Sequence, residues 1–156
     1  MIDQPLMTPR SPHWSHARAV FLHLKPYCEV CGRKAPDVEV EVHHEIPVNY
    51  LVDPVVDRPD LELDPRIMSG LCTAADCQGH YLVGHLGDWH SYNPELARFL
   101  AWTADLKRDQ IVGLRQWQSF RLCRPKHVGA MTVEEKLRLR DMLNQRFPAM
   151  PPVVRG

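Results

Sequence analysis

The sequence predicts an α+β fold, a small metal-knit core with one helix before it and helices after it. Three observations carry this. The cysteines Cys28/Cys31 and Cys72/Cys77 form two short-range pairs. Valines alternate with polar residues from Val38 to Val42, the period of a strand. Apolar residues at helical spacing come before and after that region. With 156 residues, 44% of them hydrophobic, the chain suits one globular domain with appended helices.

The first helix is expected in "SPHWSHARAVFLHLKP". Ser11 is a capping residue, Pro12 suits the first turn, and Trp14, Ala17, Phe21 and Leu24 share a face until Pro26 ends it. Next, "DVEVEVHHEIPV" reads as a half-buried strand ending near Pro47. The proline- and acid-rich "VDPVVDRPDLELDPR" reads as a long loop. A short helix broken at Gly84 and Gly87 is expected in "DCQGHYLVGHLGDWHSYNP". Asn93-Pro94-Glu95 then starts a helix carrying Leu96, Phe99 and Leu100, with apolar spacing resuming through Ile111, Leu114 and Trp117. "TVEEKLRLRDMLNQRF" has a capping box, Thr132 with Glu135, and an apolar stripe of Leu137, Leu139, Met142 and Leu143. Residues 149–156 read as a flexible tail.

The cysteine spacing suits a tetrahedral zinc ion. Two residues separate Cys28 from Cys31, and Gly32 permits the tight turn; four separate Cys72 from Cys77. Four thiolates leave no open coordination position, so the ion's role would be structural. Two buried thiol pairs or a disulfide are the alternatives. Cys123 is left over and reads as a structural thiol. A clamp of this kind would draw His43/His44 and His80/His85 together into one cleft beside the zinc. His80 and His85 lie five residues apart, about 140° around an ideal helix. Either the helix ends by Gly84 and His85 folds back, or only one of them binds metal. His13, His16 and His23 read as surface residues.

The zero net charge hides an asymmetry. Residues 1–92 carry 7 Lys/Arg against 13 Asp/Glu, and residues 93–156 carry 12 against 6. The basic C-terminal third suits an anionic partner, or is a set of solvated helix faces. No apolar run reaches the roughly 18 residues of a membrane span, and the first residues lack the pattern of a secretory signal, so a cytoplasmic location is expected.

"KPYCEVCG", "VHHEIP", "LELDPR" and "LC…C…H…GHLGDWHSYNP", in that order from Trp14 to Pro94, resemble the HNH endonucleases, phage- and bacterium-borne members especially at "YLVGHLGDW". That resemblance implies a ββα-metal (His-Me finger) core wrapped around a treble-clef zinc knuckle. It implies a nuclease core over residues 11–94; the charge count and apolar spacing make residues 95–148 a basic helical extension. It implies hydrolysis of phosphodiester bonds, most naturally in double-stranded DNA, within a bacterial or phage-infected cell. His44 would be the general base, His43 and His80 would hold a divalent ion (Mg2+, Mn2+, Ni2+ or Zn2+), and His85 would be a third ligand or a phosphate contact. The zinc would sit on Cys28, Cys31, Cys72 and Cys77. Arg115, Arg121, Arg124 and Lys126, with Arg138 and Arg140, would hold the DNA backbone.

One position departs from the family pattern. Ile67 in "DPRIM" stands where the family has an asparagine that braces the loop and helps orient the base. Asp64, Ser69 and Asn49 are the nearby candidates to replace it. The alternative reading is a zinc module weakened at that position, which binds nucleic acid or a protein without cutting.

Overall fold

The computed structural model describes residues 9–89, 91–103, 126–127 and 131–148. Helix α1 spans Trp14–Leu24. The carbonyl of Ser11 accepts the Trp14 N–H at 3.0 Å, and the Ser11 hydroxyl accepts the N–H of His13 at 3.2 Å. The helix therefore begins past Pro12, at Trp14. Its inward face is Trp14, Ala17 and Phe21, with Phe21 buried. Leu24, expected on that face, is 69% exposed, because the helix ends there and the chain turns away at Lys25.

After α1 the chain makes a tight knuckle. The Cys28 N–H bonds to the Arg33 carbonyl and the Gly32 N–H to the Cys28 carbonyl, both at 2.8 Å, with Gly32 at φ +74°. Strand β1 (Val40–His44) follows and pairs antiparallel with β2 (Met68–Cys72). In the register, Val40 faces Cys72 and His44 faces Met68. The Glu45 N–H to the Ile67 carbonyl (2.8 Å) extends the pairing by one step. All five β2 residues are buried. Gly70 sits at its centre because a Cβ there would meet the Tyr27 carbonyl at 2.7 Å.

Between the strands runs the long loop, which is packed and locally helical. It holds the short helix α2 (Val48–Leu51) and 3-10 turns at Pro59–Leu63 and Pro65–Ile67, and it buries Val56 and Leu61. A wide helical turn, Gly79–Gly84, follows β2. Next come β3 (Ser91–Tyr92), helix α3 (Leu96–Thr103) and β4 (Lys126–His127), with β3 and β4 paired antiparallel. The side chain of Asn93 accepts the Glu95 N–H at 3.0 Å in a turn before the helix, which starts at Leu96 and so later than the Asn-Pro-Glu sequence suggests.

Helix α4 (Val133–Arg146) begins with the expected cap, the Thr132 hydroxyl accepting the Glu135 N–H at 3.1 Å. Its buried stripe is narrower than the sequence suggests. Leu139 and Leu143 are buried, whereas Leu137 and Met142 face solvent.

Two apolar clusters sit at the two ends of the β1–β2 ladder. Cys28, Val30, Val40, Leu71, Val83, Leu96 and Phe99 form one. Ile46, Tyr50, Leu61, Ile67, Tyr92, Leu139, Leu143 and Phe147 form the other, so α4 is part of the core. Polar ties add to this packing. Arg146 makes a two-pronged ion pair with Glu45 at 2.7 and 3.0 Å. The Arg58 guanidinium donates to the carbonyls of Phe147 (2.8 Å) and Leu143 (3.4 Å), closing the C-terminal end of α4. The architecture is mixed, helices around a small antiparallel sheet. No described helix is long and apolar enough to cross a membrane.

Candidate metal centres

The knuckle and the segment following β2 bring Cys28, Cys31, Cys72 and Cys77 together. Their four sulfurs lie within 4.8 Å of one another, and Cys31 and Cys72 are 3.8 Å apart. All four thiols are free, so no disulfide joins them. Zn–S bonds of about 2.3 Å in a regular tetrahedron put the sulfurs about 3.8 Å apart, so the set fits zinc. Hydrogen bonds from the Cys28 and Cys77 thiols push Cys72 far down. Its partner Cys28 is pushed up to about 12, first by the hydrogen bond to Cys72 and then by burial. Packed this closely, the thiols share protons and resist a second negative charge. A cation is what would let all four ionise together.

The second cluster is His43, His80 and His85, whose ligand nitrogens also fall within 4.8 Å of one another. His43 comes from β1, and the other two from the wide turn. That turn resolves the spacing problem, because the His85 N–H bonds to the His80 carbonyl at 3.1 Å, five residues back. A π-type turn puts residues i and i+5 on one side, where an α-helix would splay them. The rings of His80 and His85 are consequently 5.0 Å apart, and those of His43 and His85 are 4.9 Å apart. Gly84 makes room for this, since a Cβ there would press on the His43 ring at 3.0 Å.

Hydrogen bonds fix the protons. The His80 Nδ1 is 2.6 Å from the Glu41 carboxylate, and the His85 Nδ1 is 2.7 Å from the Ser91 carbonyl. Both oxygens only accept, so each Nδ1 carries the hydrogen and each Nε2 keeps its lone pair. His43 is 4% exposed, and its Nε2 is buried with no hydrogen-bond partner. Buried ring nitrogens are rarely left so, and an ion would satisfy it. Burial holds His43 well below the usual imidazole range, reinforced by the neighbouring His85 and His80. His85 is lowered by burial, against the pull of the Ser91 carbonyl. Neutral imidazoles are what a cation needs.

His44 lies outside this trio. Successive strand residues point to opposite faces, so His43 joins the turn while His44 packs on the α1 side. The His44 ring lies 4.7 Å from that of Trp14. Its Nε2 donates to the Glu62 carbonyl at 2.8 Å, and its Nδ1 lone pair faces the Arg10 guanidinium at 3.3 Å. Burial pushes its pKa down to about 4, partly opposed by the bond to Glu62. The four expected histidines thus divide into a group of three and a single, oriented base candidate.

Ile67 is 1% exposed, in the second apolar cluster. None of Asp64, Ser69 and Asn49 has a described bond to His44; Asp64 is engaged by Arg66. The group orienting His44 is the backbone carbonyl of Glu62, held in a loop tied down by the Glu62 carboxylate accepting the Ser11 N–H at 3.0 Å. The neighbouring acids are engaged, Glu45 with Arg146, Asp64 with Arg66, and Glu41 with His80. Arg115, Arg121 and Arg124 lie outside the described residues, as do Cys123, the side chain of Lys126 and the tail. Arg138 and Arg140 pair with Glu134 and Asp141 on the exposed face of α4. Compared with known proteins, the chain matches no family model, no curated protein sequence and no solved structure.

Proposed function

We propose that the chain is a metal-dependent endonuclease of the HNH type, hydrolysing phosphodiester bonds in DNA. In this reading β1, β2 and the Gly79–Gly84 turn are a ββα-metal core on a treble-clef zinc knuckle. The observation that carries it is the pairing of roles on one strand. His43 joins two imidazoles whose free nitrogens converge, and its neighbour His44 is a neutral base oriented by a carbonyl. Cys28, Cys31, Cys72 and Cys77 would hold zinc, while His43, His80 and His85 would hold the exchangeable ion. Three imidazoles without a carboxylate among them favour Ni2+ or Zn2+ over Mg2+ and Mn2+. A divalent ion bound there supplies Lewis-acid relief of the charge that builds on the phosphate and on the departing oxygen.

The protein's own part is proton handling and placement. The Arg10 guanidinium turns from His44 to an incoming phosphate and leaves the Nδ1 lone pair open. His44 then takes a proton from water on Nδ1 while the water oxygen bonds to phosphorus and the P–O bond to the sugar breaks. The Glu62 carbonyl holds the resulting imidazolium in place through Nε2. Histidine suits this task because a neutral ring is both oriented and basic.

Plasmid relaxation in Mn2+, Ni2+ or Mg2+ tests the reading. His44→Ala should slow cutting by about 100-fold or more, the usual contribution of a general base, with zinc content unchanged. Cutting by that variant at the wild-type rate would refute the assignment. Ile67 favours the alternative, a zinc module that binds without cutting; binding with no cleavage in every ion would establish it.

A further inference from the structure

A cavity of about 320 Å³ adjoins the histidine cluster, lined by Thr73, Ala75, Gln78, His80, Tyr81 and Trp89. His80 belongs to both, so whatever fills the cavity lies against the imidazole trio. Trp89 is 55% exposed although it is the largest apolar side chain type. Its ring lies 5.0 Å from that of Tyr81, 4.8 Å from His85 and 5.2 Å from His80. The Tyr81 ring is fixed in turn, its hydroxyl donating to the Gly87 carbonyl at 2.6 Å. The Trp89 and Tyr81 rings are tilted 38° to each other, so the braced phenol supports the indole from one side and leaves an exposed indole face that packing alone does not require.

We propose that this cavity is a nucleobase subsite. It takes the base of a nucleotide next to the phosphate at the histidine cluster, stacked on the exposed face of Trp89 with Tyr81 bracing the indole. The inference rests on the nuclease reading and deepens it by naming the substrate as DNA with that base unstacked, in a single strand or a locally opened duplex. Its size is at the lower end of small-ligand pockets, roughly 300–1,000 Å³, so a base fits and a duplex does not. A paired base has both faces covered and must leave the stack to enter. Aromatic faces accept any base, and the rim offers few hydrogen-bonding groups, since the Gln78 amide already donates to the Ala75 carbonyl at 3.3 Å. Recognition is therefore tolerant of sequence.

The test separates binding from cutting. A labelled single strand, its duplex and an abasic strand of equal length are titrated by fluorescence anisotropy onto the full zinc-loaded chain. That chain carries His44→Ala, with or without Trp89→Ala or Trp89→Phe. Trp89→Ala should weaken binding of the single strand about 10-fold. It should leave the abasic strand unchanged, and Trp89→Phe should restore most of the loss. Quenching of 2-aminopurine in the strand, on protein with Trp89 intact, should report the same stacking without relying on a variant. Equal affinity of Trp89→Ala for the single strand, an equal loss on the abasic strand, or unquenched 2-aminopurine would overturn the subsite. Cleavage of the same strand by wild type is read separately. Cutting without a Trp89 effect removes the subsite alone, and a base-dependent Trp89 effect without cutting in any ion supports the subsite while removing the catalytic reading.

Discussion

His43 and His44 are neighbours in the chain yet serve different faces of one strand, and second partners decide what each ring can do. The Glu41 carboxylate fixes the His80 hydrogen on Nδ1, so Glu41→Gln should weaken the exchangeable ion by about 10- to 100-fold. Calorimetric titration of Mn2+ or Ni2+ onto zinc-loaded protein checks this, with the zinc retained. Ile67 gives an opposite kind of prediction. Restoring asparagine there would bury an amide among Ile46, Leu61 and Phe147. Ile67→Asn should cost about 3 kcal/mol in urea unfolding and, on the proposed reading, gain no cutting rate, because the Glu62 carbonyl already orients His44. The ligand residue types were legible in the sequence, because short-range thiol pairs beside a histidine doublet suit ion binding far better than apolar packing. The groups that tune them were not. Arg10 and Trp14 carry no motif, and the Glu62 and Ser91 carbonyls are backbone atoms that any residue supplies.

Among the elements, β2 left no trace in the sequence, since "MSGLC" has neither strand-like alternation nor β-branched residues; Gly70 is there for clearance from Tyr27. The wide turn was equally hidden, because a π-type hydrogen bond has no residue signature, although the glycines did mark the irregular segment. The cap of α4 was the easiest feature to read, as Thr132 shows. Helix α4 is tied to the segment after α2 by the Asp53–Lys136 pair at 2.7 Å. The Lys136 ammonium holds the Asp53 carboxyl below its ordinary value. A carboxyl lowered on folding stabilises the fold fully above its unfolded pKa, near 4, and that contribution vanishes as pH falls through the lower folded value. Asp53→Asn should therefore cost up to about 1 kcal/mol at pH 7. The difference from wild type should shrink to nothing in acid, as read by denaturant melts from pH 7 to pH 3.

At the scale of the molecule, the apolar core is divided between two modest clusters, and the cysteine clamp lies within the first. Metal removal should consequently be a folding event. A strong chelator, or Cys72→Ser, should abolish the cooperative thermal transition or lower its midpoint by about 10 °C or more, measured by circular dichroism. The charge asymmetry seen in the sequence has a partly mundane origin, because Arg146 and Lys136 pair across the chain with Glu45 and Asp53.

The β1–β2 ladder ends at Cys72 on one side and begins its partner strand with Val40, running on to His43 and His44. One pair of strands thus touches both candidate ion sites, and any linkage between them would be reciprocal. Whatever affinity the imidazole trio gains from an ordered sulfur cage must return, as the same factor, to the cage when the trio is filled. An ion held by the imidazole trio would then guard a sulfur-bound zinc from loss, and protein deprived of that ion would shed zinc sooner.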